Sequence, residues 1–148
     1  MPELYEVLLI DGGSRWHAGY VVDDETETDV LLAESGKVLL FGSRAGLEHH
    51  AQEHGMELSD ELPDEIDLDL GGWLPAGSPE PSTAEVSELW HLLIDDPVAG
   101  KALGAEALED VYDDLTDDEP DWFARHGNAA RSALTASVAA LRSTLHPA

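Results

Sequence analysis

Apolar residues recur with a period of two over 1–41 and with spacings of three and four after position 82, so the chain reads as strands first and helices later. "ELYEVLLI" is strand-like, and Asp11, Gly12, Gly13 and Ser14 supply turn chemistry. "RWHAGYVV" then places Trp16, Ala18, Tyr20 and Val22 on one face. After the polar "DDETET", the run "DVLLAESGKVLLF" reads as a hairpin with Glu34, Ser35, Gly36 and Lys37 at its turn. "EIDLDL" alternates Ile66, Leu68 and Leu70 with Asp67 and Asp69, as at a charged sheet edge. The expected sheet is antiparallel, with four to five strands in the N-terminal half.

Helical signals begin at Ser43, which suits an N-cap. Leu47 and Ala51 give a thin apolar stripe, and Gly55 stands where a helix end takes a left-handed residue. "MEL" after it reads as a short extended return. The stretch "GGWLPAGSPEPS" has the composition of a linker or surface loop. Beyond it, Ser82 or Thr83 starts a helix with Glu85 near the capping-box position and Val86, Leu89, Trp90 and Leu93 on one face. A second helix is expected over Ala105–Leu115, with Leu108, Val111, Tyr112 and Leu115 on its stripe and acids opposite. Pro120 fits the first turn of a third, in which Leu134, Val138, Leu141 and Leu145 repeat and Gly127-Asn128 is a candidate break. The pattern predicts an α+β fold in one domain over 1–148. Subdomains are expected at 1–70 and 83–148, joined by loop 71–82.

Composition changes the picture mainly through charge. A hydrophobic share of 43% and four tryptophans support a folded chain despite a net charge of −25. Cysteine is absent, which removes disulfides, thiolate catalysis and cysteine-ligated metals. The start "MPELYEVLLIDGG" carries acids where a signal peptide needs bases, and no run reaches the roughly 20 apolar residues of a membrane span. A cytoplasmic chain without membrane contact is expected.

Acidic residues number 32 against 7 Lys and Arg, and 21 of the acids lie in Glu57–Asp121. Such a field repels phosphate backbones, so direct nucleic-acid binding is not expected. It attracts basic protein surfaces and speeds encounter with them. Host-wide adaptation gives the same composition, and would make this an acidic accessory domain with no specific partner. Cation binding is a third source of acidity, but "EDVYDDLTDDEPDW" lacks the ligand spacing of an EF-hand loop.

Within "GLEHHAQEHGMEL", His50, Glu53 and His54 stand in the order H-x-x-E-H. On a helix the two histidines share a face and can offer ring nitrogens to one zinc, with Glu53 activating a bound water. The order resembles the motif of the inverted zinc peptidases, and the resemblance implies a small zinc-dependent hydrolase with a further carboxylate ligand downstream. The competing reading is structural: imidazoles packed beside Leu47 and Ala51, with His54 at the negative end of the helix dipole.

The leading expectation is a non-enzymatic, cofactor-free acidic binding protein of the bacterial inhibitor, immunity or antitoxin type. Its expected partner is a basic protein such as a nuclease toxin. The candidate contact residues are Asp64, Glu65, Asp67, Asp69, Asp110, Asp113, Asp114, Asp117 and Asp118, with Trp73 and Trp122 as exposed aromatic anchors. The metal alternative rests on His50, Glu53 and His54.

Overall fold

The computed structural model describes residues 3–23, 28–77, 79–104, 108–117 and 120–147. The fold is α+β, and the chain forms two compact units, Met1–Leu68 with Thr144–Ala148 and Asp69–Ser143. The division thus falls just before the Gly/Pro-rich stretch rather than within it, and the last residues belong to the first unit.

In the first unit, β1 (Glu3–Asp11) and β2 (Ser14–Asp23) pair antiparallel through Gly12 and Gly13, both left-handed with φ of 58° and 91°. Strand β3 (Thr28–Leu31) adds to β2. Strands β6 (Glu57–Leu58) and β7 (Asp64–Asp67) run parallel to β1, so the five-stranded sheet is mixed, not antiparallel as the pattern suggested. The reason is α1 (Arg44–Glu53), which carries the chain back across the sheet before β6; a parallel partner needs such a crossover. A second sheet has the order β4 (Ala33–Glu34), β5 (Lys37–Leu40), β8 (Leu145–Pro147). Leu145, expected on a helical stripe, therefore lies in a strand, opposite Val38. Pro147 disfavours a helical conformation at His146, in keeping with this extended segment. Leu4, Leu32, Leu39, Phe41, Leu47 and Ala51 form a core cluster of this unit.

The same core holds a charge. Glu6 shares the period-two face of Leu4 and is buried. Its carboxylate accepts from Arg44 Nη1 at 2.9 Å and pairs with His17 Nδ1 at 2.5 Å. Arg44 also donates through Nη2 to the Ser59 carbonyl at 2.9 Å and through Nε to Glu48 at 3.0 Å. The Glu6 carboxylate, partly opposed by burial, holds the guanidinium above its ordinary pKa. One ion cluster thus ties β1, β2, α1 and the segment after β6.

In the second unit, a 3₁₀ turn at Leu70–Gly72 leads into α2 (Trp73–Ala76). The expected loop therefore contains a short helix, fixed because Trp73 and Leu74 are buried and Arg131 Nε donates to both their carbonyls at 2.9 and 3.0 Å. Helix α3 (Thr83–Ile94) starts at the expected capping box of Ser82 and Glu85 and buries Val86, Leu89, Trp90 and Leu93. After α4 (Ala99–Leu103) come α5 (Glu109–Thr116) and α6 (Trp122–Arg142). The predicted start of α5 at 105–107 lies outside the described residues. Helix α6 does not break at Gly127, because Gly127 is itself buried and Ala130, Leu134, Val138 and Leu141 continue its buried face. Among the described residues, no helix is long and apolar enough to cross a membrane.

Three tests follow from this packing and from the ion cluster. A Cβ at Gly127 would sit 3.8 Å from Phe123 Cβ and 3.9 Å from Trp73 Cζ2, ordinary contact distances. Gly127→Ala should therefore stabilise the protein by about 0.5–1 kcal/mol in urea denaturation, the helix-propensity gain. At Gly100 a Cβ would meet the Ile94 carbonyl oxygen at 2.5 Å, so Gly100→Ala should destabilise by about 1–3 kcal/mol. Arg44→Met should cost about 2–3 kcal/mol by stranding the Glu6 carboxylate. The double variant Glu6→Leu/Arg44→Met should recover most of that loss; a double variant no better than the single would refute the stranded-charge account.

Candidate functional site

Helix α5 separates apolar and acidic residues by its 3.6-residue period. Val111 and Leu115 are buried, while Glu109, Asp110, Asp113 and Asp117 are exposed on the opposite side. These four carboxylates make no side-chain hydrogen bond or ion pair with other described residues. Asp114 differs: it is half-buried, pairing with His126 Nε2 at 2.6 Å and Arg125 Nη2 at 3.5 Å. Asp118 lies outside the described residues. Asp113 and Asp117 sit at the C-terminal end of α5, where the helix dipole disfavours negative charge. Glu109 and Asp110, in the first turn, suit the dipole, so only the C-terminal half of the acidic face is an arrangement that helix stability does not select.

The strand acids are less uniform. Asp64 and Glu65 are exposed on β7, and Glu65 pairs with Arg15. Asp67 is half-buried, and Asp69 receives Arg142 Nη2 at 2.6 Å. The aromatic anchors are not at the surface. Trp122 is 0% exposed and donates its indole N–H to the Val111 carbonyl at 2.9 Å, while Trp73 is 3% exposed and meets Phe123 edge-on. The pattern puts Trp73 in a Gly/Pro-rich loop and Trp122 beside an acidic run as exposed anchors; helix packing buries both instead. Trp16, which alternation places toward the core, is only half-buried, whereas Trp90 is fully buried.

Helix α1 brings His50 and His54 together as their spacing predicts, with rings stacked at 4.1 Å between centroids. Glu53 does not join them. Its carboxylate pairs with His49 Nε2 at 3.0 Å, because adjacent helical positions diverge by about 100°. The carboxylate facing the two imidazoles is Glu34, at the end of β4, 3.7 Å from His50 Nε2 and 3.4 Å from His54 Nε2. Sequence reasoning placed Glu34 in a turn and gave it no role, since no local spacing links a hairpin corner to a later helix. Burial and the neighbouring His54 hold the His50 imidazole below its ordinary pKa, against the pull of Glu34 and Glu53.

No protein-family model matches the chain, and no curated protein matches it. Among solved structures, the chain is similar to one described as the crystal structure of SatS c-terminal domain in complex with bromine. Identity is 15% with a TM-score of 0.56, over 98% of this chain and 94% of that one. At that identity the likeness shows the fold alone.

The lowered pKa of His50 fixes the sign of a pH effect. The unfolded chain binds this proton at the ordinary value of 6.5, and the folded chain only at lower pH. Stability from this group is complete above 6.5 and declines as pH falls from there to the folded value. Replacing His50 by Gln should flatten that part of the stability-versus-pH curve, measured as the difference between the two proteins' urea midpoints across the window. An unchanged slope would show that His50 keeps its ordinary pKa.

Proposed function

We propose that this chain is a non-enzymatic binding protein that docks the acidic face of α5 on a basic partner protein, as an inhibitor or immunity protein of antitoxin type would. The observation that carries this reading is the row Glu109, Asp110, Asp113 and Asp117, exposed together without counter-charges among the described residues. A nuclease toxin suits the role of partner, because a cleft charged for polyphosphate is also charged for a carboxylate row. With Trp73 and Trp122 buried, the reading rests on electrostatics and not on aromatic anchoring. A hydrolase with Glu53 as its base has less support, since that carboxylate pairs with His49.

The test is isolation of the native complex from the source cell, with its stoichiometry measured by native mass spectrometry. A one-to-one complex with a basic protein is expected, and its association rate should fall steeply with salt. Asp110→Asn/Asp113→Asn/Asp117→Asn should slow association at least about tenfold. Asp117→Lys should slow it too, while raising stability by about 0.3–1 kcal/mol through the helix dipole. Uniform, non-stoichiometric binding to any basic protein would overturn the reading.

A further inference from the structure

Glu34, His50 and His54 belong to two elements that converge for reasons internal to each. The β4–β5 hairpin turns through Ser35 and Gly36, both left-handed with φ of 53° and 78°, which leaves Glu34 at its corner. Helix α1 presents His50 in its last turn and His54 as its C-cap, one turn apart. One ligand atom from each of the three residues lies within 4.8 Å of the other two. Around a tetrahedral zinc ion, with bonds of about 2.0–2.1 Å, ligand atoms stand about 3.3 Å apart. The two Glu34-to-imidazole separations, 3.4 and 3.7 Å, are already close to that value.

A second observation concerns proton position. His54 Nδ1 lies 2.9 Å from the His50 carbonyl oxygen. A carbonyl only accepts, so Nδ1 carries the hydrogen, and Nε2 is the ring nitrogen directed toward Glu34. This is how metal-ligating imidazoles are held, with the distal nitrogen bonded to a carbonyl that fixes tautomer and ring plane. His50 is held differently, by packing against Phe41 at 5.5 Å between ring centroids, and its side chain is 13% exposed.

We propose that Glu34, His50 and His54 form a binding site for a divalent metal ion of the zinc class, with solvent as fourth ligand. Two imidazole nitrogens select zinc-class ions over magnesium and calcium, which prefer oxygen. Glu34 and His54 are each about half exposed, which leaves room for a water ligand. Glu53, paired with His49, is not part of the site, so the ion clamps the β4–β5 hairpin to α1 without a general base beside it. The inference stands apart from the acidic face of α5 and does not need it.

The experiment is a calorimetric titration of the tag-free, chelator-stripped full chain with zinc, in excess magnesium to occupy unspecific carboxylates. One saturable equivalent is expected, together with a higher melting temperature. Nitrogen-15 spectra should show zinc moving the Nε2 signals of His50 and His54 but not that of His49. Glu34→Gln and His54→Asn, at exposed positions that spare the core, should each weaken binding at least about tenfold. Glu53→Gln should leave it within about twofold. No saturable equivalent, or binding lost in E53Q and kept in E34Q, would overturn the site.

Discussion

The first unit is organised around one buried carboxylate. Glu6 lies on a strand position that the sheet aims at the core, where an unpaired charge costs several kcal/mol. It persists there because Arg44 and His17 both reach it. That requirement fixes more than two side chains. His17 must sit on β2 across from β1, and Arg44 must open α1 at the height where its other nitrogens meet the Ser59 carbonyl and Glu48. Apolar burial alone would hold α1 weakly, since its buried residues are Leu47 and Ala51. The ion cluster supplies the orientation that two small apolar contacts do not.

The same economy of cations shapes the surface. All five arginines are engaged with groups of the chain itself: Arg15 with Glu65, Arg44 with Glu6 and Glu48, Arg125 with Asp114, Arg142 with Asp69, and Arg131 with two carbonyls of α2. Apart from the pair of Arg44 with Glu48 within α1, those contacts join different elements, so the basic residues act as cross-links. What remains outward is acid with little base among it. A net charge of −25 would by itself favour expansion, and the folded state tolerates it because the apolar cores and these few arginine links outweigh the repulsion.

Local signals made most elements legible. The capping box at Ser82, the left-handed Gly55 and the alternation in β1 and β2 depend on neighbours within a few residues, and each appears where the pattern puts it. Features set by long-range pairing were not legible. The parallel register of β6 and β7, the return of Leu145 to β5, and the meeting of Glu34 with His50 and His54 follow from tertiary placement. Trp73 and Trp122 were misplaced for a related reason: a Gly/Pro-rich or acidic flank says little about whether a ring finds a helix to cover it. Gly127 shows the converse, a local breaker overridden by the apolar face that continues past it.

Helix α1 joins these observations. Its first turn is held by Arg44 on Glu6, and its last turn faces the hairpin through His50, His54 and Glu34. Between them Leu47 and Ala51 are buried in the core, so apolar burial holds the middle of the helix and polar contacts hold its two ends. Electrostatic attachment responds to protonation and counter-charge in a way that apolar burial does not. The two ends should respond differently. Arg44 stays charged at any pH the protein meets, and its end is constant. At the other end burial and His54 hold the His50 imidazole below its ordinary pKa, which makes the contact of α1 with the β4–β5 hairpin the pH-sensitive joint of this unit.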